Sequence, residues 1–267
     1  MEDKLLSIIE EIPNAVGVYF IYDKLDRLLY VGKSKHIKKR LMQHFKSTDY
    51  RELRIRQEIG RIDYELLGDE TIALLHESDL IKLHQPKYNR ALRKKRYSFG
   101  LYAQVDVNGY ISLYVDKLAI GKNEIMTFTS YREGKERLFT ITEKYNLCQK
   151  INQLYKSKSS CFQYQLKACY GACIAKEEIQ SYNQRVNNFI ASSELPDGEL
   201  FLEVVGRHEN EKGIIYLKDG SYKGFGYCKK GARSKNVFFK CVQLKEENRD
   251  SRRIIKRYII NRNTMVI

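Results

Sequence analysis

The sequence predicts an α+β fold that begins with a small, mostly antiparallel sheet. Residues 16–22 (VGVYFIY) and 27–32 (RLLYVG) are rich in β-branched and aromatic residues, and only a short polar segment separates them. Two such runs predict a β-hairpin. The next segment places Ile37, Leu41 and Phe45 at intervals of four, which is the spacing of one apolar stripe on a helix. A helix beside an antiparallel hairpin is typical of an α+β domain.

Further elements complete this first domain. Residues 52–59 predict a short helix, and residues 62–67 (IDYELL) predict a third strand. A longer helix is predicted over 69–83, because acidic residues open it and Pro86 lies just beyond its end, where a helix cannot continue. We expect a small central sheet flanked by helices.

The remainder of the chain predicts hairpins joined by helices. The dipeptides Asn108-Gly109 and Asp219-Gly220 are strong hairpin-turn signals. We expect a β-hairpin and helical cysteine-containing region, and then a small basic β-hairpin and helix unit. The segment SSELPDGE is the best candidate for a linker. Helices are predicted over 134–145, 176–191 and 250–261, and the expected domains are 13–95, 96–192 and 198–267.

Composition restricts the class of protein. The 267 residues carry 48 Lys and Arg against 33 Asp and Glu, a formal net charge of +15. No apolar run approaches the roughly 20 residues that cross a bilayer, and the acidic N-terminus is not a secretory signal. The sequence therefore predicts a cytoplasmic protein rather than a membrane protein. A polyanionic partner, with nucleic acid favoured over a membrane surface, explains the charge; a solvated basic surface is the alternative.

Two basic segments contain no acid: residues 33–46 (KSKHIKKRLMQHFK) and 90–96 (RALRKKR). Such segments can follow a phosphate backbone, and binding of this kind weakens steeply with salt. The expected DNA-binding residues are Lys35, Lys38, Lys39, Lys46, Arg90, Arg93, Lys94, Lys95 and Arg96.

Several motifs occur in a fixed order. GVY stands at 17–19 and YVG at 30–32; YVGKSKHIKKRLMQHF and ALLHESDLIKLHQPKYN then follow at 30–45 and 73–89. Together these segments resemble the GIY-YIG nuclease family over about residues 13–95. Within it they resemble the N-terminal half of the excision-repair subunit UvrC and its homologue Cho. The same module is also fused to exonucleases similar to the epsilon subunit of DNA polymerase III.

The resemblance implies a GIY-YIG fold and a metal-dependent DNA endonuclease that hydrolyses one strand during nucleotide excision repair, as a single incision. The expected partners are DNA and either a UvrB-like helicase loader or an exonuclease subunit. The alternative is a DNA-binding or accessory module of an exonuclease complex, with an idle or partner-gated nuclease site.

Glu77 is the candidate ligand of a catalytic Mg²⁺ or Mn²⁺, since Mg²⁺ prefers oxygen ligands and keeps most of its waters. Helical spacing places Glu77 on the same side as Ala73 and Ile81, where an unpaired carboxylate is costly. The alternative is a solvated or salt-bridged acid.

The resemblance assigns Tyr30 as the general base or water-orienting phenol and Tyr19 as its support. An ordinary tyrosine has a pKa of about 10, so a base role requires Lys33 or the metal to lower the pKa of Tyr30. Two packed aromatic residues are the alternative.

Three further residues complete the predicted site. Arg40 presents a planar cationic fork to a phosphate, and Lys33 presents a point charge. Asn89 is expected to fix a water or the phosphodiester, or alternatively to form a turn.

Four of the six cysteines are grouped as C-x12-C-x7-C-x3-C: Cys148, Cys161, Cys169 and Cys173. Zinc favours two tight pairs, whereas a [4Fe–4S] cluster tolerates looser spacing. The resemblance to UvrC implies the iron–sulfur cluster; zinc and reduced buried thiols are the alternatives. Cys228 and Cys241 are expected to be small core residues.

Overall fold

The computed structural model describes residues 2–89, 97–119, 121–156 and 160–265. The chain folds into two compact units, one of residues 1–95 and 196–255, the other of 96–195 and 256–267. Among the described helices, none has the length and apolar character needed to cross a membrane.

The elements alternate short strands with helices throughout the described chain. The first are α1 (Glu2–Glu11), β1 (Gly17–Asp23), β2 (Leu28–Ser34), α2 (Ile37–Lys46), α3 (Tyr50–Glu58), β3 (Ile59–Leu66) and α4 (Glu70–His84). The middle ones are β4 (Phe99–Val105), β5 (Ile111–Lys117), β6 (Met126–Phe128), α5 (Tyr131–Lys144), α6 (Phe162–Gln165) and α7 (Ile179–Ser192). The last are β7 (Glu199–Val205), β8 (Glu211–Lys218), β9 (Ser221–Lys229), α8 (Lys235–Cys241), β10 (Val242–Leu244) and α9 (Arg249–Met265).

The first unit opens with the predicted hairpin. Strands β1 and β2 pair antiparallel with Tyr19 opposite Gly32, and β1 also pairs with β3, so the strand order is β2-β1-β3. The apolar stripe of α2, Ile37 and Leu41, is fully buried against this sheet's core. The predicted α+β fold is thus confirmed. The sequence reading missed α1, whose Ile9 is fully buried in the same core.

A second sheet belongs to the same unit. Its order is β10-β9-β8-β7, with all neighbours antiparallel. The β8–β9 hairpin turns at Asp219-Gly220 as predicted, and both residues have positive φ (47° and 67°), which suits a tight hairpin turn. The flanking strands β7 and β10 were not predicted: β7 begins at the end of the segment assigned as a linker, and β10 has only three residues.

This second sheet packs on helix α4. The Tyr227 hydroxyl donates to the carbonyl of Leu67 at 2.9 Å, just before α4 begins. Lys245 binds the carboxylate of Asp79 on α4 at 2.6 Å, and the rings of His76 and Phe225 meet edge to face. The C-terminal sheet therefore supports the helix that carries Glu77.

The second unit contains a three-stranded sheet of order β5-β4-β6 with helices around it. Its core combines strand residues such as Leu113, helix residues such as Tyr182 and Val186, and the buried cysteines Cys148 and Cys161. Asn152 fastens the cysteine-containing segment to β5 through a 2.9 Å bond from the Leu113 N–H to its side-chain oxygen.

Candidate active site

The β1–β2 hairpin brings the two predicted tyrosines together. Tyr19 and Tyr30 are buried, with ring centroids 5.9 Å apart. A Cβ at Gly32 would lie 2.4 Å from the Tyr19 hydroxyl oxygen, and a Cβ at Gly17 would lie 2.0 Å from the carbonyl oxygen of Glu65. Both distances are far below any real contact, so the motif glycines make room for the Tyr19 ring and for the β1–β3 pairing.

Helix α4 carries Glu77, whose carboxylate lies near Tyr30. The Glu77 side chain is 4% exposed, and Oε1 accepts the backbone N–H of Lys33 at 2.8 Å. Burial and the nearby Glu77 charge raise the pKa of Tyr30. Burial and the neighbouring Tyr30 raise the pKa of Tyr19 well above its usual value. Both phenols therefore hold their protons at neutral pH in the protein alone.

The Lys33 ammonium forms an ion pair with Glu70, which also binds Lys35 at 2.8 Å. Its expected effect on the pKa of Tyr30 stays a prediction. Two other cations act on Tyr30, Arg40 and Arg51, and the guanidinium carbon of Arg51 lies 5.4 Å from the ring centroid. Arg51 opposes the rise in the pKa of Tyr30, and the sequence reading did not single it out.

Arg40 lies on the exposed face of α2, where it donates to Gln43 at 3.3 Å. Burial lowers the pKa of its guanidinium, but interactions with Tyr19, Tyr30 and the Glu52 carboxylate raise it overall. Arg40 therefore interacts with the two buried phenols and is also exposed to solvent, where a phosphate can approach it.

The Asn89 side chain binds the backbone of strand β2. Its side-chain oxygen accepts the Val31 N–H at 2.9 Å, and its amide donates to the Val31 carbonyl at 2.7 Å. The N–H of Tyr88 adds a 2.9 Å bond to the carbonyl of Leu29. Asn89 is 2% exposed, so both ends of its amide hold the edge strand β2 in place. Its expected contact with a water or phosphodiester stays a prediction.

One further group, His44, was missed by the sequence reading. The Tyr19 hydroxyl lies 2.6 Å from His44 Nε2, and His44 Nδ1 meets the Glu52 carboxylate. A carboxylate only accepts, so Nδ1 carries a proton, and Nε2 forms the hydrogen bond with the Tyr19 hydroxyl. All three side chains are buried.

The Glu52 carboxylate is strongly stabilised in its charged form. Burial alone would raise its pKa, but hydrogen bonds from His44 and Arg51 lower it to about 2. The available signal was helical spacing: His44 follows Leu41 by three positions and Ile37 by seven, which places it on the buried stripe of α2.

The basic segment after β2 is only partly free. Lys39 and Lys46 are exposed, Lys35 pairs with Glu70, and Lys38 donates to the carbonyl of Glu10. The remaining predicted DNA-binding residues lie outside the described part of the chain: Arg90, Arg93, Lys94, Lys95 and Arg96.

The grouped cysteines also come together. The Sγ atoms of Cys148, Cys161 and Cys173 lie within 4.8 Å of one another, and Cys169 Sγ lies 3.9 Å from Cys161 Sγ. All are free thiols. Burial raises the pKa of Cys148 to about 12 and of Cys169 to about 11. The thiols of Cys148 and Cys169 therefore stay protonated unless a metal replaces their protons.

Cys228 and Cys241 pack in the small core of the C-terminal sheet, as expected.

Two protein families match consecutive parts of the chain. Residues 15–90 match the UvrC-like GIY-YIG domain, and residues 81–192 match the UvrC/Cho excinuclease middle domain. Among curated proteins, UvrABC system protein C of Fervidobacterium nodosum is 30% identical over 182 residues, which are 68% of this chain and 32% of that protein. Its Yersinia enterocolitica counterpart is 26% identical over 222 residues, 80% of this chain and 36% of that protein.

A solved structure also matches. It is the GIY-YIG N-terminal endonuclease domain of UvrC from Thermotoga maritima, bound to magnesium as its catalytic divalent cation. Identity is 30%, with 33% of this chain and 99% of that chain covered and a TM-score of 0.32.

This chain spans about a third of the length of the two curated relatives described above. The predicted resemblance is confirmed by two family matches that follow one another along the chain, in the order expected from the motifs. Residues 15–192 belong to the UvrC branch of the GIY-YIG nuclease family, with an endonuclease domain followed by the UvrC/Cho middle domain.

Proposed function

We propose that this chain is a divalent-cation-dependent DNA endonuclease that hydrolyses one strand in excision repair. The observation that carries the proposal is the convergence of Glu77, Tyr30 and Tyr19 in one buried network of the matched domain. A buried carboxylate beside two phenols, with an arginine on the open side, is suited to phosphodiester hydrolysis. Residues 13–95 form the nuclease domain in this proposal, 96–192 the cysteine region and 198–267 the C-terminal unit.

Glu77 fits the role of a Mg²⁺ or Mn²⁺ ligand. Its carboxylate is fixed by the Lys33 N–H, and it sits where a bare charge is costly. When bound, the cation would neutralise phosphate charge and activate a water. Tyr30 would orient that water. With a cation bound, the Glu77 charge that raises the pKa of Tyr30 would be offset, so Tyr30 could release its own proton to solvent and then, as phenolate, take the proton of the attacking water. Arg40 would bind the phosphate from the exposed side.

His44 and Glu52 position Tyr19 in this scheme. Because Nδ1 is bound to Glu52, the ring of His44 is held with Nε2 2.6 Å from the Tyr19 hydroxyl oxygen. This contact fixes the Tyr19 side chain beside Tyr30, with the two ring centroids 5.9 Å apart. The His44–Glu52 pair thus positions Tyr19 and, through it, Tyr30.

A Tyr30→Phe variant tests the role of the phenol. We expect the nicking rate of supercoiled plasmid in Mg²⁺ to fall by roughly 10²- to 10⁴-fold, the range of general acid–base catalysis. The matched control is Tyr64→Phe on β3, an exposed tyrosine opposite Tyr19 in the sheet, and it should nick normally. If the Tyr30→Phe variant nicks at the native rate, the Tyr30 hydroxyl has no part in the mechanism.

The proposed partners are DNA and either a UvrB-like loader or an exonuclease subunit. The competing proposal, an accessory module with an idle site, predicts duplex binding without nicking under any cation. A partner-gated enzyme predicts nicking only when that partner is added to the reaction.

We also propose that Cys148, Cys161, Cys169 and Cys173 hold a metal centre. Four thiolates around one tetrahedral zinc lie about 3.8 Å apart, given Zn–S bonds of about 2.3 Å. Cys148, Cys161 and Cys173 lie within 4.8 Å of one another, and Cys169 lies 3.9 Å from Cys161. These separations are near the spacing of a zinc site, whereas a [4Fe–4S] cluster needs a wider set because each thiolate binds a different iron.

Metal analysis of anaerobically purified protein decides between these centres. About four irons with acid-labile sulfide per chain would establish the cluster, and one zinc would establish the tetrahedral site. Loss of the bound metal in Cys161→Ser, beside retention in Cys228→Ser, would assign it to this group. Protein free of both metals, although purified without chelators, would contradict the proposal.

A further inference from the structure

A second basic surface lies in the C-terminal sheet. The segment from Lys229 to Lys245 contains six Lys or Arg residues and no Asp or Glu. It comprises the end of β9, a turn, α8 and β10. Both family matches end before it, the later one at residue 192. Its charge is therefore not accounted for by the nuclease motifs.

Five of the six cations face solvent. Lys245 differs, because it binds Asp79. None of the other five side chains forms an ion pair with a residue in the described ranges, whereas nearby Lys212 and Arg207 are paired with acids at 2.9 and 2.6 Å. We call these five residues the C-terminal basic surface: Lys229, Lys230, Arg233, Lys235 and Lys240.

The backbone beneath this surface is well anchored. Phe238 of α8 is 6% exposed and packs with Ile214 and Cys228 in a small core. The turn is closed by a 2.9 Å bond from the Ala232 N–H to the carbonyl of Lys229. The five charges therefore lie within one short segment on an anchored scaffold, and an anionic partner would relieve their mutual repulsion.

The neutral residues between the charges favour a phosphate backbone as that partner. Ser234, Asn236 and Gln243 are exposed in the same segment, and such side chains, with Lys and Arg, make most protein contacts to DNA phosphates. The surface lies in the same compact unit as the nuclease site, whose substrate is a polyanion of this kind. We propose that the C-terminal basic surface binds the phosphate backbone of duplex DNA without reading its sequence. This inference rests on DNA being the substrate in the proposed function.

The test replaces four cations at once: Lys229→Gln, Lys230→Gln, Arg233→Gln and Lys235→Gln. Affinity for a short labelled duplex of mixed sequence is measured across a salt series, in a Glu77→Gln background that prevents cleavage. Each phosphate contact contributes about 0.9 to the slope of log K against log salt, so the slope should fall by about 3 to 4 and Kd at 0.1 M salt should rise at least about tenfold. A second duplex of different sequence should give the same values.

The matched control is Lys117→Gln, Lys122→Gln, Lys144→Gln and Lys156→Gln, four exposed lysines of the other unit, which should leave the slope unchanged. Equal melting temperatures would show that all variants fold. If the first variant does not fold, Lys230→Gln with Lys235→Gln should give half the change in slope. Unchanged duplex binding in the first variant, or equal weakening in the control, would overturn the inference. Absence of nicking by the native chain, both alone and with the added partner, would instead refute the proposed function.

Discussion

Replacing Glu77 with Gln is expected to reduce the nicking rate by about 10³-fold or more in Mg²⁺. The change removes the proposed cation ligand and the negative charge that attracts the cation. The fold should survive the change. The Gln side-chain oxygen can still accept the Lys33 N–H that Glu77 accepts at 2.8 Å, so the melting temperature should stay within a few degrees of the native value. The measurement is the rate at which supercoiled plasmid becomes nicked.

The matched control is Asp79→Asn, two residues further along the same helix. Its carboxylate binds Lys245 on the C-terminal sheet rather than facing the tyrosines. This variant loses one partly buried ion pair, in which the Lys245 and Asp79 side chains are 23% and 26% exposed, and it should nick at the native rate. Equal nicking by Glu77→Gln and the native chain would mean that the site is wrongly assigned. Chelation of divalent cations should abolish nicking by the native chain.

Replacing Glu52 with Gln is expected to change the pH dependence of stability. The native pKa of Glu52 is about 2, below its ordinary 4.5. The carboxylate therefore contributes its stabilisation in full above about pH 4.5 and loses it as the pH falls toward 2. The shift corresponds to about 3 kcal/mol, so native protein should lose about that much more unfolding free energy across this window than the Gln variant does. Denaturant titrations at a series of pH values measure it.

The control for this variant is Glu58→Gln on the same helix, where Lys87 and the Tyr88 hydroxyl hold the carboxylate at a more exposed position. Its effect should be below about 1 kcal/mol. Glu52→Gln should also slow nicking, because His44 no longer holds a fixed tautomer toward Tyr19, whereas Glu58→Gln should not. Parallel pH curves for native protein and the Glu52 variant would show that the His44–Glu52 pair contributes nothing.

The nuclease half of the molecule was largely predictable, because local signals and the tertiary fold agree there. The β1–β2 hairpin follows from two β-branched and aromatic runs with a short polar connection, and α2 follows from Ile37 and Leu41 at helical spacing. Helix α4 follows from its acidic start and from Pro86 beyond its end. The tyrosines and Glu77 could be named because the motifs place them on these elements, and helical spacing put Glu77 on the apolar side of α4.

The sequence by itself determined the α+β fold and the family of residues 15–192. It also named Tyr19, Tyr30 and Glu77 of the candidate site, but not Arg51 or His44. Only the tertiary structure decided which of them interact. Lys33 forms an ion pair with Glu70, and Arg51 lies over the ring of Tyr30. The Asn89 side chain binds the backbone of β2. His44 forms hydrogen bonds with both Tyr19 and Glu52.

The packing of the C-terminal sheet on α4 was likewise invisible in the sequence, because Asp79 and Lys245 lie 166 residues apart. Hydrophobic periodicity and motif spacing report on neighbours along the chain. A hydrogen bond between distant residues depends on side-chain direction after packing, which no local pattern encodes.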